Sequence, residues 1–423
     1  MGDETEDRPK PSPQPREPEP EPENKTPEDE TEDKTEDGDG AEAAPASRRG
    51  GARQGGRIAV RTVLALVSVV ALAVTGYAYL TYHQVQGDVH TSDILSQPDD
   101  PALPPPPPKD DGGEDILLVG VDARTDMQGN ELSSSMLKTL RTEQTGGINT
   151  DTLIILRLPK NGGKPFAVSI PRDTWVTVPR GGQAKINSVF GTAKAAAAAQ
   201  LRAQGERDAA RTERESDEAG RKALVQTIQD FTQVRIDHYA EVNLLGFYLI
   251  TEALGGVEVC LNHATEDKDS GANFAAGVQT VTGGEALSFV RQRKNLPRGD
   301  LDRIVRQQAF LGSALHKVLT AGVLTNPGKL NNLTDALRRS LILDPDFDLL
   351  QLAEKAKGLA SGTVSFQTIP VLTINGRSPD GQSIVEADPA AVQQFFTALA
   401  TQPTGGGGSS GGGAAPAGVT CVN

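Results

Sequence analysis

The chain predicts an α/β domain in which a mixed central β-sheet lies between helical layers, preceded by one transmembrane helix. Three observations predict this. Continuous apolar runs of strand length at 115–121 (DILLVGV), 152–158 (TLIILRL) and 166–170 (FAVSI) fit central strands covered on both faces. Helical patterns lie between and beyond these runs, and strands interleaved with helices stack as layers about one sheet. Residues 62–80 carry no charge over 19 positions, enough for one crossing of a bilayer.

From the N-terminus, Met1 to Ser47 hold 17 Asp or Glu against 5 Lys or Arg, with almost no large apolar residue. Such a segment cannot bury enough surface to offset the entropy of ordering it. Residues 1–57 therefore read as a disordered acidic tail with a basic end beside the membrane. This tail accounts for most of the formal charge of -14, so the remainder is nearly neutral and a dense arginine cluster there is a local feature. Arg48, Arg49, Arg53, Arg57 and Arg61 precede the span assigned to 58–80. They predict a cytoplasmic N-terminus, a cell-membrane location and an extracellular domain. A cleaved signal peptide fits less well, because a long tail precedes the span and no A-x-A-like site follows it. Residues 81–113 form a linker containing Pro104 to Pro108, whose polyproline II stiffness suits a spacer.

The ordered part begins near Glu114. Residues 234–242 and 257–261 read as further strands, and 363–369 as a late one. Helical patterns cover 187–204, 214–231, 243–254 (stopped by Gly255-Gly256), 283–289, 300–319 and 389–399. The core spans 114–317 and a C-terminal part spans 318–401. The charged stretch 202–222 reads as a solvated helical excursion. Residues 402–423 form a glycine-rich flexible tail carrying Cys421. With Cys260 also outside the cell, an even cysteine count in an oxidising compartment permits a disulfide. The tail's coil span of about 20 to 25 Å would let Cys421 return to the domain.

Residues 289–311 (FVRQRKNLPRGDLDRIVRQQAFL) concentrate six basic side chains and two aspartates. In an extended segment Arg291 and Arg293 would share one side. Pro297 and Gly299 then break the chain before a helix near Asp300, on which Asp300, Arg303 and Gln307 share a face. Several guanidinium groups aimed at one place suit an oxyanion of more than one charge, such as a pyrophosphate. An arginine-rich surface helix neutralised by neighbouring acids would use the same residues. Nucleic acid is excluded as a partner by the acidic balance and the 4% aromatic content.

Other strand ends add to the pattern. Asp122 and Arg124 follow one apolar strand, Asp151 opens the next, Arg172 and Asp173 follow a third, and Lys185 and Asn187 stand at a helix start. Two carboxylates at strand ends are hard oxygen ligands of the kind Mg²⁺ takes beside substrate phosphate, although each alone is commonly a turn or capping residue. The five histidines show no zinc-ligand spacing.

The succession LLVGVDAR, NTDTLIIL, VSIPRDTWV, AKIN, HYAEVNLLGFYLITEALGGVEV, GEALSFVRQRK and GDLDRIVRQQ resembles the LytR-CpsA-Psr family. The likeness is close over 114–317 and looser to about 400. The Ala/Gly/Pro-heavy composition points to an actinobacterial source. The resemblance implies a membrane-anchored, Mg²⁺-dependent phosphotransferase of Gram-positive cell-wall assembly. Such an enzyme moves a glycopolymer phosphate from a polyprenyl-pyrophosphate carrier to an N-acetylmuramic acid hydroxyl of peptidoglycan. It maps the metal onto Asp122 and Asp151, and the pyrophosphate contacts onto Arg124, Arg172, Arg291, Arg293 and Arg303, with Gln307 and Lys185 beside them. Asp300 maps near the transferred phosphate and is the first candidate base, with Asp173 the second. Asn149 stands where many members have arginine, and 125–148 is longer than usual. The isoprenoid tunnel is expected between the sheet and the helix containing Ala195 to Ala199. A lipid-pyrophosphate phosphatase and a non-catalytic wall-polymer binder or regulator remain alternatives.

Overall fold

A computed structural model of the chain describes residues 90–95, 104–108, 111–126, 129–143, 148–160, 163–179, 181–320, 327–338, 340–347, 364–401 and 419–423. All lie in the compact unit Ala71–Asn423. The expected acidic tail and the expected span at 58–80 fall outside the described residues. Among the described residues no helix is long and apolar enough to cross a membrane.

The first elements are β1 (His90–Thr91), β2 (Gly113–Val121), α1 (Ser134–Thr139), β3 (Thr150–Pro159), β4 (Phe166–Ser169), β5 (Trp175–Thr177) and β6 (Gln183–Lys185). They are followed by α2 (Ile186–Ala203), α3 (Ala209–Thr232), β7 (His238–Asn243), α4 (Leu244–Ala253), β8 (Val257–Leu261), β9 (Thr265–Asp267), β10 (Ala272–Phe274) and β11 (Gly277–Val281). The chain then forms α5 (Gly283–Arg291), α6 (Asp300–Thr320), α7 (Pro327–Arg338), β12 (Leu341–Leu343) and β13 (Ser365–Thr368). Last come β14 (Thr373–Arg377), β15 (Ser383–Glu386), α8 (Pro389–Thr401) and β16 (Cys421–Val422).

The central sheet has seven strands in the order β1-β12-β7-β2-β3-β4-β13. It is mixed: β2 pairs parallel with β7 and antiparallel with β3. Strands β12 and β13, both beyond residue 317, are members of this same sheet. Alternation along β2 divides the faces. Leu117, Val119 and Val121 enter a core with Val189 and Phe190 of α2, Leu224 and Ile228 of α3, and Val392 and Phe396 of α8. Leu118 and Gly120 face the other way, toward α4, α5 and α6. Helix α2 approaches closely enough that a Cβ on Gly191 would collide with the Ile148 carbonyl just before β3.

Three local expectations change. Helix α5 runs through Arg291, with Gln292 as its extended C-cap, because Phe289 and Val290 continue the buried apolar face for another turn. Arg291 therefore closes a helix instead of sharing an extended strip with Arg293. The stretch 202–222 is solvated only at its start. From Thr212 onward α3 turns Thr212, Ser216, Gly220 and Arg221 inward. Of the alanines of α2, Ala195, Ala196 and Ala199 are exposed and Ala198 is buried, and none of them lines the cavity beside α4 or the one between α3 and β1.

Cys260 and Cys421 are bonded, and the bond holds β16 parallel to β8 in a separate three-stranded sheet with β11. Next to it, the Asn423 backbone oxygen accepts from Arg306 Nε.

Candidate active site

The polar centre lies where β2 ends and β3 begins. Asp122 directly follows β2. Its backbone N–H donates to the Asn149 carbonyl at 3.0 Å, and its Oδ1 accepts from the Asn149 N–H at 2.6 Å. Asp151 owes its position to an irregularity in the ladder. Gly120 pairs with Thr152 and Val121 with Thr150, so Asp151 is the extra residue of a β-bulge. A bulge re-aims a side chain that strict alternation would send elsewhere. Here both Asp122 and Asp151 line one cavity.

Arg172 sits in the turn after β4 and donates from Nη1 to Asp151 Oδ1 at 2.6 Å. Its Nε lies 3.6 Å from both Asp173 and Asp300. Asp300 opens α6, and Arg303, one turn on, reaches it at 2.8 Å and the Asp151 carbonyl at 3.4 Å. Gln307, a further turn along, donates to the Val290 carbonyl at 3.2 Å. Helix α6 thus brings three spaced residues of one sequence pattern to the start of β3.

This cluster is incompletely satisfied. Buried polar atoms almost always find partners. Yet Arg172 Nε, both Asp300 oxygens and Arg303 Nε are buried without a hydrogen-bond partner, although their ion-pair neighbours are close. They make four of the seven such atoms among the described residues, gathered at one point. Burial raises the Asp300 carboxyl above the ordinary aspartate range, against the pull of Arg303 and Arg172. Burial also depresses the Arg303 guanidinium. At Arg172 burial opposes the charge, but Asp151, Asp173 and Asp300 outweigh it and hold the pKa up. The Asp122 carboxyl is raised by burial and by Asp151, partly offset by the Asn149 N–H.

Behind the polar mouth lies a cavity of about 290 Å³. Asp122, Asp151, Arg291, Arg303 and Gln307 line its polar end. Phe247 and Ile250 of α4, Val290 of α5 and Phe310 of α6 are among its apolar walls. This apolar cavity lies on the sheet face away from α2, the helix beside which the tunnel was expected. The available signal was α4 itself, LLGFYLITEA, apolar around nearly its whole circumference, which marks a helix covered on all sides.

The remaining expected residues divide. Arg291 is at the mouth, its charge disfavoured by burial and supported by Asp151 and Asp122. Arg124 lies beside Asp122 at 3.6 Å but is held by the Glu143 and Asp122 carbonyls at 2.7 and 2.9 Å. Lys185 pairs with Asp173 at 3.2 Å, outside the cavity lining. Arg293 is exposed and is not among the lining residues. The sequence reading missed the long 125–148 segment as a support: its Glu143 and Arg141 carbonyls accept from Arg124 and Arg291.

Residues 76–401 match the LytR_cpsA_psr family. The chain belongs to that family. It is 44% identical over 353 residues to the cell wall biosynthesis protein LcpA of Corynebacterium glutamicum, covering 84% of this chain and 67% of LcpA. It is 30% identical over 292 residues to the polyisoprenyl-teichoic acid–peptidoglycan teichoic acid transferase TagU of Oceanobacillus iheyensis, covering 68% of this chain and 77% of TagU. The fold matches the crystal structure of protein gbs0355 from Streptococcus agalactiae with a TM-score of 0.50 at 19% identity, over 69% of this chain and 89% of that one.

Mg²⁺, the metal that LytR-CpsA-Psr membership implies, can be tested against the donor set. Among the described residues no group of three or more His, Cys, Asp or Glu side chains is arranged for a metal. Mg²⁺ commonly uses only one or two carboxylates, completing its shell with water and substrate phosphate. Asp122 and Asp151, both at the mouth and with Asp151 raising the cost of the Asp122 charge, fit that smaller requirement.

Proposed function

We propose that this family member is a membrane-anchored, outward-facing phosphotransferase. It moves a glycopolymer phosphate from a polyprenyl-pyrophosphate carrier to a peptidoglycan hydroxyl on N-acetylmuramic acid. The observation that carries this reading is the set of buried polar atoms without a hydrogen bond on Arg172, Asp300 and Arg303, gathered around Asp151 and Arg303, which line the polar end of an otherwise apolar cavity. A diphosphate on a long apolar chain has the matching polarity. The name of the similar TagU, a polyisoprenyl-teichoic acid–peptidoglycan teichoic acid transferase, supports the same chemistry, and that of LcpA the cell-wall setting.

The apolar chain lies among Phe247, Ile250, Leu254 and Phe310, which leaves the diphosphate at the mouth. Arg172 Nε and Arg303 Nε donate to its oxygens, and Arg291 adds positive charge from the end of α5. These donors are held by Asp151, Asp300 and the Arg141 carbonyl before substrate arrives, so little reorganisation accompanies the reaction. Asp122 and Asp151 would hold Mg²⁺, which when bound supplies further positive charge against the diphosphate. Asp300, in its ionised form, takes the proton of the acceptor hydroxyl. The acceptor oxygen forms a bond to the phosphorus bearing the glycopolymer, and the bond to the bridging oxygen breaks. The polyprenyl phosphate leaves with that electron pair, as in phosphoryl transfer generally.

The test is transfer by the full chain in detergent, from labelled polyprenyl-pyrophosphate-linked glycopolymer, with and without peptidoglycan. Label should reach peptidoglycan only when the acceptor is present. Release without acceptor would make the chain a hydrolase, and retention without Mg²⁺-dependent turnover a binding protein. Arg291→Ala should lower transfer by roughly 10²- to 10³-fold with the fold intact.

A further inference from the structure

We propose that the β5–β6 ribbon is the platform that receives the acceptor polysaccharide, with a sugar ring stacked on the Trp175 indole. This rests on the transferase reading and adds to it the place where the acceptor docks. In the two-stranded ribbon Trp175 pairs with Lys185 and Thr177 with Gln183. Directly paired residues point to the same face, so these four side chains form one surface. Val176, between Trp175 and Thr177, points oppositely into the core.

Trp175 is the chain's single tryptophan and is only half-buried. Its Nε1 donates to Gln183 Oε1 at 3.1 Å, which fixes the plane of the indole while leaving part of it open. A buried tryptophan is ordinarily explained by packing, but this one spends its polar handle on an exposed glutamine. A flat apolar surface ringed by an amide, a hydroxyl and an ammonium suits a carbohydrate. The ring's C–H face stacks, and its hydroxyls meet the polar groups at the edge.

The ribbon also points toward the chemistry. Lys185 lies 3.2 Å from Asp173 Oδ1, Asp173 Oδ2 lies 3.6 Å from Arg172 Nε, and that nitrogen lies 3.6 Å from Asp300 Oδ1. A continuous file of polar side chains thus leads from the indole to the carboxylate that takes the acceptor's proton. Neither Trp175 nor Lys185 lines the apolar cavity, so the platform and the donor lipid occupy separate surfaces.

Because the chain has one tryptophan, its emission reports this indole alone. Soluble peptidoglycan glycan fragments, titrated into the full chain in detergent without donor, should change the emission saturably, whereas polyprenyl phosphate should not. In the transfer assay Trp175→Ala should raise the acceptor KM roughly tenfold and leave the donor KM unchanged, while Trp175→Phe should retain most of the affinity. Circular dichroism of both variants checks the fold, and if the alanine variant unfolds the KM comparison passes to Gln183→Ala, which frees the indole and should raise the acceptor KM. The proposal is overturned by an emission that ignores the glycan, by an unchanged acceptor KM, or by equal losses toward donor and acceptor. Saturable emission in a chain that transfers nothing would sink the transferase reading and leave the platform standing.

Discussion

On the sheet face covered by α2 and α3, Arg221 donates to both oxygens of Glu241 at 2.9 and 3.0 Å, and the Tyr239 hydroxyl donates to the same carboxylate at 2.6 Å. On the face covered by α4, α5 and α6, Arg172 and Arg303 meet Asp151 and Asp300, and four of their buried polar atoms have no hydrogen-bond partner. Both sets are buried and both mix guanidinium with carboxylate. Both border cavities, the first a cavity of about 350 Å³ beside β1. The first set is closed upon itself by hydrogen bonds and braces the α2/α3 layer, whereas the second is open, with buried polar atoms left without a hydrogen bond, and that difference teaches where a ligand belongs. A closed network stabilises only while complete, whereas an open one spends stability on groups held ready for something outside the chain.

Breaking each network should therefore have opposite consequences. Arg221→Met strands a buried carboxylate and should cost about 3 to 5 kcal/mol of stability, read from urea unfolding. Arg303→Met should cost less than that, because Asp300 keeps the Arg172 guanidinium beside it at 3.6 Å. Its effect should appear as a roughly 10²- to 10³-fold loss of transfer. Chelation sharpens the contrast in the same direction: removing divalent metal should lower transfer at least about 100-fold and leave the unfolding midpoint of the chain unmoved.

The amino-terminal end of the sheet offers an intermediate case. Asp115 Oδ1 also lacks a partner, but Arg157 occupies the other oxygen at 2.7 Å, and Asp115 lines neither the apolar cavity nor the one between α3 and β1. Burial pushes this carboxyl to about 8 despite Arg157. Between the ordinary aspartate pKa and about 8 the folded chain keeps a proton that the unfolded chain releases. Stability should consequently fall as pH rises through that window, by roughly 1 kcal/mol per pH unit. Asp115→Asn should flatten the slope in unfolding measured from pH 5 to 8, without affecting transfer. The smallest expected effect comes from the cavity wall. Ala314→Phe narrows the apolar end and should weaken long-chain polyprenyl donors roughly tenfold, sparing short-chain ones, in KM measurements.

Much of the layered fold is readable in residues 115–121 and 152–158, because strands covered on both faces must be apolar throughout. The i, i+3, i+7 spacing of Asp300, Arg303 and Gln307 likewise encodes a shared helix face without further information. The bulge at Asp151 is not readable, since it exists only in the pairing between two strands. The end of α5 is not readable for a related reason: whether it stops before or after Arg291, and so whether Arg291 shares an extended strip with Arg293, depends on what Phe289 and Val290 pack against. The tunnel was expected beside the alanine-rich α2 on the strength of small side chains, whereas the apolar cavity on the other face is walled by large side chains that stop short of meeting. Those walls come from α4 and α6, whose contacts are distant in sequence.

The most direct measurement is a crystal structure of the chain bound to polyprenyl phosphate. The lipid should thread between Phe247, Ile250 and Phe310, with its phosphate oxygens within hydrogen-bond distance of Arg172 Nε and Arg303 Nε. A phosphate bound elsewhere, with those two nitrogens still unengaged, would contradict the account.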